Sequence, residues 1–190
     1  MSNINVSSIL DFINDVLGPI NFLYTTIFAI ATVKLNRKSK ALKLVCKINE
    51  KQKITEKERI NGKNGVPVPV IVQNNSDSVF QKVFIIVVGD ESENHVKIGG
   101  RLLNSLSKPL QEGHFGYIEN LSDQEEILIS SYGYGMHRRL GIVVIYEDER
   151  GKEWVRDSNG KLYKTKGIER KLIKLGLPLP GYKSHITYRH

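Results

Sequence analysis

The sequence predicts a mainly β protein, an antiparallel sandwich preceded by one hydrophobic N-terminal helix, and three observations lead to this prediction. Between residues 41 and 166, short runs rich in β-branched residues alternate with polar turns about every ten residues, without a helical period between them. Residues 16–33 are uncharged and largely apolar. Basic residues are concentrated on either side of the predicted sandwich. Together these features predict a β domain attached to a membrane helix.

The size and composition are those of one folded domain with appendages. The chain has 190 residues, of which 40% are hydrophobic and 25% charged, which suffices for a buried core. The single cysteine, Cys46, excludes an intramolecular disulfide and a multi-cysteine zinc cluster, and it indicates a reducing compartment. We divide the chain into an anchor helix with a basic flank (1–40), a β-sandwich domain (41–166) and a basic tail with a short helix (167–190).

The first element is the uncharged stretch VLGPINFLYTTIFAIATV at positions 16–33. Its length is close to the roughly 20 residues that cross a bilayer core, which favours a transmembrane helix. Asp11 and Asp15 precede it, and the next 30 residues, 34–63, hold eleven Lys or Arg and three Glu. By the positive-inside bias, this pattern predicts a short N-terminus outside the membrane and residues from Lys34 onward in the cytoplasm.

The first basic residues after this stretch are predicted to bind the membrane surface. They are Lys34, Arg37, Lys38 and Lys40. A Lys or Arg near an anionic inner leaflet contributes on the order of 1 kcal/mol of attraction, which decays over a Debye length of about 8 to 10 Å. The anionic inner leaflet of the bilayer is therefore the expected partner of this flank.

Three other interpretations of the N-terminal segment stay open. A cleaved signal peptide matches Ala29-Ile30-Ala31, but no Lys or Arg precedes residue 34. A stretch of this length with several polar residues could also be a buried core helix. Residues 4–17 carry apolar side chains near helical spacing and could lie on the membrane as an amphipathic helix. We favour the spanning anchor, although the sequence does not separate a helix that spans from one that lies on the membrane.

The first two predicted strands are ALKLVCKINE, at 41–50, and VPVPVIVQ, at 66–73. The first alternates apolar and polar positions, as a half-buried strand does. In the second, Pro67 and Pro69 remove two amide donors from one side of the strand. We therefore expect an edge position, or pairing on that side that begins only at Val70.

The middle of the chain predicts three further strands. VFQKVFIIVVGD, at 79–90, is apolar on both faces, so it should be central or covered on its second face by another element. Residues 91–113 receive no assignment. HFGYIEN, at 114–120, and EEILISSYGYG, at 125–135, are predicted as strands around the turn NLSDQ.

Residues 140–165 predict a three-stranded meander. The strands LGIVVIYEDE, KEWVR and KLYKT are joined by the turns DERG and DSNG, and the Asn159-Gly160 pair suits positive φ. Trp154 is predicted to anchor the core face or its rim, with contact to a partner as the alternative.

The basic tail contains one short helical pattern. Ile168, Leu172 and Leu175 recur at helical spacing, and Gly176 followed by Pro178 ends the pattern. We expect the apolar side of this helix to pack on the sandwich, with contact to a membrane or to a partner groove as the alternative.

The order of the predicted strands and turns also resembles that of a known group of domains. The succession VPVIVQNNSDSVFQKVFIIV, IENLSDQEEILIS and IVVIYEDERGKEWVRDSNGKLYK, over residues 66–164, resembles the immunoglobulin-like cytoplasmic domain of bacterial membrane-anchored proteins of unknown function. The positions that carry the last part of the resemblance are Asp148, Gly151, Trp154, Arg156, Gly160 and Leu162. The step NLSDQEE departs from the pattern, since relatives often carry Pro and Gly there. The resemblance implies an antiparallel immunoglobulin-like sandwich and membrane anchoring, and it implies no activity.

No catalytic signature stands out in the sequence. The five histidines show no metal-ligand spacing, and the chain lacks a G-x-S-x-G motif and a phosphate loop. His137, Arg138 and Arg139 form a predicted basic loop tip that is a candidate partner contact, and we do not expect nucleic acid to bind there. We therefore predict a non-enzymatic protein that uses no metal and no cofactor.

The predicted function is a membrane-tethered, cytoplasm-facing binding or accessory module with an unidentified protein partner. The alternative is a soluble basic protein that binds nucleic acid through residues 43–63 and the tail, with an affinity that falls steeply with salt. An enzyme with dispersed catalytic residues would need a pocket that the sequence alone does not show.

Overall fold

The structure is a computed structural model. It describes Phe12, Asp15, residues 17–49, 66–89, 106–131 and 140–178, and the backbone of 187–188. The chain forms two compact units, Met1–Lys40 and Ala41–His190.

Helix α1 spans Gly18–Leu42. It has 25 residues, which at a rise of about 1.5 Å per residue gives a length of about 37 Å. Pro19 lies in the first turn, where a missing amide donor costs no intrahelical bond. The helix is long and apolar enough to cross a membrane, and no residue of its apolar window is buried. The buried core helix considered from the sequence is therefore not what the structure shows. The amphipathic stretch 4–17 lies almost entirely outside the described residues.

Within the described ranges, nine strands and two further short helices follow α1. In chain order they are β1 Leu44–Ile48, β2 Val66–Asn74, β3 Phe80–Gly89, α2 Ser107–Gln111, β4 Phe115–Leu121, β5 Gln124–Ser131, β6 Leu140–Glu147, β7 Glu153–Arg156, β8 Leu162–Thr165, α3 Ile168–Lys174 and β9 Thr187–Tyr188. The strands form two antiparallel sheets. The first sheet has the order β1-β2-β5-β9, and the second sheet has the order β4-β3-β6-β7-β8. The prediction of a mainly β, antiparallel two-sheet domain after an apolar helix is confirmed.

The main core is made of side chains from both sheets. The first sheet contributes Leu44, Val68, Val70, Val72, Ile127 and Ile129, and the second contributes Phe80, Val83, Ile85, Val87, Ile118, Leu121, Val144, Tyr146 and Trp154. Most of these residues are spaced two apart along their strands, as the pleat requires for side chains that share one face. Their burial removes apolar surface from water and so stabilises the contact between the two sheets.

A second core covers the other face of the second sheet. Phe84, Ile86 and Val88 of β3 belong to it, together with buried side chains around α2 and in α3. The residues around the two helices that complete this core are Leu106, Leu110, Ile168, Leu172 and Leu177. This helical layer is the physical reason why β3 is apolar on both faces. Both parts of the prediction for 79–90 hold, because β3 is also flanked on both sides, by β4 and β6.

Pro67 and Pro69 lie in the part of β2 that does not pair with β1. On one side, β1 pairs with β2 only from Asn74 to Val70, while β5 pairs along the other side from Val66 to Gln73. The amide of Asn49 donates to the carbonyl of Pro69 at 2.9 Å, so the nitrogen edge of Pro69 faces the β1 side. The structure thus follows the second of the two expected arrangements, in which pairing begins at Val70.

Two predicted boundaries differ from the structure. The strand expected at 41–50 begins only at Leu44, because α1 continues through Leu42. Residues 34–42 contain no Gly or Pro that would end the helix earlier. The strand expected at 125–135 is described as Gln124–Ser131, and residues 132–139 lie outside the described part of the chain.

The predicted meander is confirmed, since β6, β7 and β8 are adjacent and antiparallel. The apolar side of the tail helix packs on the second sheet, because Ile168 and Leu172 are buried in the second core. The tail also supplies a short strand that no sequence pattern indicated: β9 pairs with Ile127 and Leu128 of β5.

Candidate membrane anchor and partner surface

The surface of α1 is apolar along the candidate span. Its large side chains have between 45 and 75% of their surface exposed. They are Ile20, Phe22, Leu23, Tyr24, Ile27, Phe28, Ile30 and Val33. A soluble protein rarely exposes a contiguous apolar surface of this extent, whereas a bilayer solvates it.

The threonines of α1 have their hydroxyl groups satisfied within the helix. Each donates to the backbone carbonyl four residues earlier. These bonds join Thr25 to Asn21 at 2.6 Å, Thr26 to Phe22 at 2.8 Å and Thr32 to Phe28 at 2.9 Å. Because hydrocarbon offers no water to a polar group, a hydroxyl without a partner would be costly there. Three of the polar residues that lower the hydropathy of this stretch are therefore compatible with lipid.

The predicted membrane-surface residues lie on α1 itself, directly after its apolar part. Lys34 and Lys38 are exposed, and Arg37 and Lys40 are partly buried. Arg37 and Lys38 follow Lys34 by three and four residues, so both neighbour it on the helix surface, and Lys40 neighbours Arg37 in the same way. Lys40 lies in the last turn of α1, where the negative end of the helix dipole favours a cation.

Two side chains of the second sheet bind the last carbonyls of α1. The hydroxyl of Tyr146 donates to the carbonyl of Ala41, and Nη2 of Arg156 donates to the carbonyl of Leu42 at 2.6 Å. The final carbonyls of a helix lack intrahelical partners, so these two bonds satisfy groups that would otherwise need water. Burial raises the pKa of Tyr146, which keeps its hydroxyl protonated as a donor. The sequence resemblance singled out Arg156 without giving it this role.

Asp148 closes the turn between β6 and β7 and holds Trp154. The amide of Gly151, which has φ +71°, donates to the Asp148 carbonyl at 2.9 Å. One carboxylate oxygen, Oδ1, accepts from the amides of Arg150 and Lys152 at 3.0 and 2.9 Å. The other oxygen, Oδ2, accepts from the indole Nε1 of Trp154 at 3.0 Å. Trp154 is 8% exposed and belongs to the main core, so a partner could reach only its rim.

The next turn repeats this arrangement. Asp157 Oδ1 accepts from the amide of Lys161 at 2.7 Å, and Oδ2 accepts from the hydroxyl of Tyr163 at 3.1 Å. Gly160, at φ +78°, donates to the Asp157 carbonyl at 2.9 Å. The two turns share the pattern Asp-x-x-Gly-Lys-x-aromatic, as DERGKEW and DSNGKLY. Sequence reasoning recognised the turns and missed this repeat, which was visible as a shared spacing of Asp, Gly, Lys and an aromatic residue.

The remaining candidates give no reactive cluster in the described part of the chain. His137, Arg138 and Arg139 lie outside the described residues. Among the residues that are described, no group of three or more His, Cys, Asp or Glu could hold a metal ion. His114 is buried, and its ring nitrogens lie 3.0 Å from the Ser130 carbonyl and 3.2 Å from Glu112 Oε2. These contacts tie the segment between α2 and β4 to β5.

Replacing Asp157 with Ala should lower the free energy of unfolding by about 2 kcal/mol, because the buried Asp157 carboxylate is the acceptor for the Lys161 amide and the Tyr163 hydroxyl in partly buried hydrogen bonds. Urea unfolding in mild detergent, followed by circular dichroism, measures this change. Asp77→Ala is the matched control, since the Asp77 side chain is 81% exposed and lies 3.9 Å from Lys43; it should cost about 0.5 kcal/mol or less. Equal losses in both variants would contradict the structural role of the turn.

The thiol of Cys46 should be unreactive in the folded protein. Burial raises its pKa from 9.0 to about 12, against the opposing effect of the Arg156 guanidinium. At pH 8 the thiolate fraction should therefore be about a thousandfold lower than in the unfolded chain, and the thiolate is the nucleophile. Between pH 9 and about pH 12 the unfolded thiol ionises first, so this group should reduce stability as pH rises. Reaction with a thiol reagent at pH 8, before and after denaturation, measures the contrast, and equal rates would contradict it.

The described residues therefore provide an apolar helix with internally satisfied hydroxyls, a basic flank, and a sheet whose side chains bind the helix end. None of these features depends on a reactive group. No protein-family model, curated protein or solved structure matches the chain.

Proposed function

We propose that this protein is a membrane-tethered, non-enzymatic binding or accessory module, with α1 in the bilayer and the β domain on the cytoplasmic side. The observation that carries the proposal is the apolar window of α1, in which no residue is buried. An exposed helix of this composition would be a liability in water, and a bilayer is the solvent that suits it. The internal bonds of Thr25, Thr26 and Thr32 support the same environment.

The charge pattern supports the proposed orientation. Acidic residues precede the span and a dense basic segment follows it, which is the distribution expected for a cytoplasmic C-terminal side. Lys34, Arg37, Lys38 and Lys40 are the residues that would contact anionic headgroups of the inner leaflet. The proposed partners are thus the lipid bilayer and a protein bound by the tethered domain.

The proposal includes an immunoglobulin-like type for the domain, as in bacterial membrane-anchored proteins. It is supported by the way the chain passes repeatedly from one sheet to the other, between β2 and β3, β4 and β5, and β5 and β6. Such crossings are typical of Greek-key sandwiches. The non-enzymatic character is supported by the lack of a catalytic motif in the sequence.

Alkaline carbonate extraction of membranes that contain the full-length protein tests the tether. We expect the protein to stay in the membrane pellet and to be released only by detergent. Recovery in the carbonate supernatant would contradict the proposal.

The orientation is tested separately by treating intact, sealed cells with an amine reagent that cannot cross the membrane. Every lysine of the chain lies at position 34 or later. We therefore expect lysine labelling only after permeabilisation. Labelling of lysines in sealed cells would reverse the proposed orientation without affecting the tether.

A further inference from the structure

The end of the second sheet carries a dense cationic surface. Six basic side chains of β8, α3 and the adjoining turns are exposed, and one acidic residue, Glu169, lies among them. We call these six residues the cationic strip: Lys161, Lys164, Lys166, Arg170, Lys171 and Lys174. Residues 64–160 hold nine basic and fourteen acidic side chains, so the strip contrasts with the rest of the domain.

The outer side of α3 offers charge rather than apolar surface. Ile168 and Leu172 point into the second core, so the apolar side of the helix is already occupied by its own domain. Arg170, Lys171 and Lys174 are left on the exposed side. A partner that meets this helix therefore meets ammonium and guanidinium groups, and it must be anionic.

Acidic groups near the strip are engaged in other contacts. Glu153 Oε2 accepts from the amide of Ile168 at 3.1 Å, and the Asp157 carboxylate is bound within its turn. Glu147 pairs with Lys82 at 3.0 Å. Within the described residues, no salt bridge joins an acidic side chain to a member of the strip. Two members of the strip have other contacts: the Lys161 ammonium lies 5.5 Å from the centre of the Tyr163 ring, and Lys171 Nζ donates to Thr165 Oγ1 at 3.5 Å. Neither contact neutralises a positive charge, so the charge of the strip is open to an anionic partner.

The chain between the span and the domain is short. Only residues 34–43 separate the apolar window from β1, and even fully extended they reach no further than about 35 Å. In the tethered protein, the lipid surface is thus always present at a high effective concentration, so weak electrostatic contacts suffice for binding. A soluble anionic partner has no such advantage.

We infer that the cationic strip binds anionic phospholipid headgroups of the leaflet next to the domain, as a second membrane contact separate from the flank of α1. This inference rests on the proposed function, since it requires the tether. Each contact is a Lys or Arg near a negatively charged surface, and the attraction decays over about 10 Å at 0.1 M salt. The strip would hold one face of the domain against the membrane and leave the opposite face for a protein partner.

The test uses the full-length protein in lipid nanodiscs. Trp154 is the single tryptophan of the chain and serves as an energy-transfer donor to a dansyl group on lipid headgroups. We expect higher transfer in discs that contain phosphatidylserine than in discs of phosphatidylcholine alone, and we expect this increase to be lost at high salt. Equal transfer in both discs would overturn the inference and leave the tether intact. Failure of the protein to enter any disc would instead count against the proposed function.

Two triple variants with the same change of charge locate the contact. The first, Lys164→Glu with Arg170→Glu and Lys174→Glu, should lose the phosphatidylserine-dependent increase. The control reverses three exposed cations outside the strip, Lys47, Lys108 and Arg150, to Glu and should keep the increase. Matching circular dichroism spectra confirm that both variants are folded. Equal loss in the two variants would show a general charge effect and overturn the assignment to the strip.

The same discs also test whether the strip binds nucleic acid instead of lipid. A fluorescent single-stranded oligonucleotide is added to protein in phosphatidylcholine discs, in which anionic lipid cannot compete. We expect no binding that depends on the strip. Binding that the strip variant loses and the control keeps, together with no effect of phosphatidylserine, would assign the surface to nucleic acid and overturn the lipid inference.

Discussion

Replacing Ala29 with Arg is expected to move most of the protein from the membrane fraction to the soluble or aggregated fraction. Ala29 lies in the second half of the apolar window and is exposed on α1. On insertion scales an Arg costs about 2.5 to 3.5 kcal/mol at the centre of a membrane helix. Ala29 lies past the centre of residues 16–33, so we expect a cost near the lower end of this range, which is a factor of roughly 70 in partitioning. The span is polar for its length, so it has little reserve against such a cost. Carbonate extraction of the variant measures the loss.

The matched control for this variant is Ser39→Arg, which places the same charge in the basic flank. Ser39 is exposed on the same helix but lies after the apolar window. A cation there is near the headgroups and should be tolerated or mildly favourable. Equal retention of the two variants in the membrane pellet would contradict the assignment of residues 16–33 to the bilayer.

Replacing Phe84 with Ala should destabilise the domain by about 3 to 5 kcal/mol, because it opens a large cavity between the second sheet and its helical layer. Phe84 is 1% exposed, and its ring centroid lies 4.8 Å from that of Tyr117. Domains of this size are stable by only about 5 to 15 kcal/mol, so this single change removes a large share of the total. Urea unfolding in mild detergent, followed by the emission of Trp154 in the other core, reports whether both cores unfold together.

Gln81→Ala is the control for the core variant, because Gln81 lies on the same strand and its side chain is exposed. It should change stability by about 0.5 kcal/mol or less. If Phe84→Ala were as mild as Gln81→Ala, the helical layer would not be packed on the second sheet as described.

The strands could be predicted from the sequence where local features of the chain are compatible with only one structure. Alternation of β-branched residues, two prolines on one side of β2 and the positive-φ glycines of the meander are local constraints, and each predicted its element. The two-sided apolar character of β3 also predicted a covering element. The apolar spacing of α3 predicted that this helix packs on the sandwich, but no pattern indicated α2, because it has only five residues and its burial depends on a sheet formed by distant residues.

The contacts at the end of α1 were beyond prediction for a similar reason. Tyr146 and Arg156 bind carbonyls more than 100 positions earlier in the chain. Carbonyl acceptors carry no side-chain signature, so no sequence pattern announces such a bond. The end of α1 at Leu42 could not be predicted either. The apolar alternation of residues 41–50 is typical of a strand, and only the structure shows that residues 41 and 42 belong to the helix.

The environment of Ala29 in a bilayer tests the central claim most directly. A nitroxide attached at Ala29→Cys, in a Cys46→Ala background and in lipid vesicles, reports its collisions with apolar oxygen and with a water-soluble nickel chelate. We predict frequent collisions with oxygen and few with the chelate, and the reverse for a label at Ser39→Cys. A label at position 29 that collides freely with the chelate, or with neither reagent, would place this helix in water or inside protein and contradict the account.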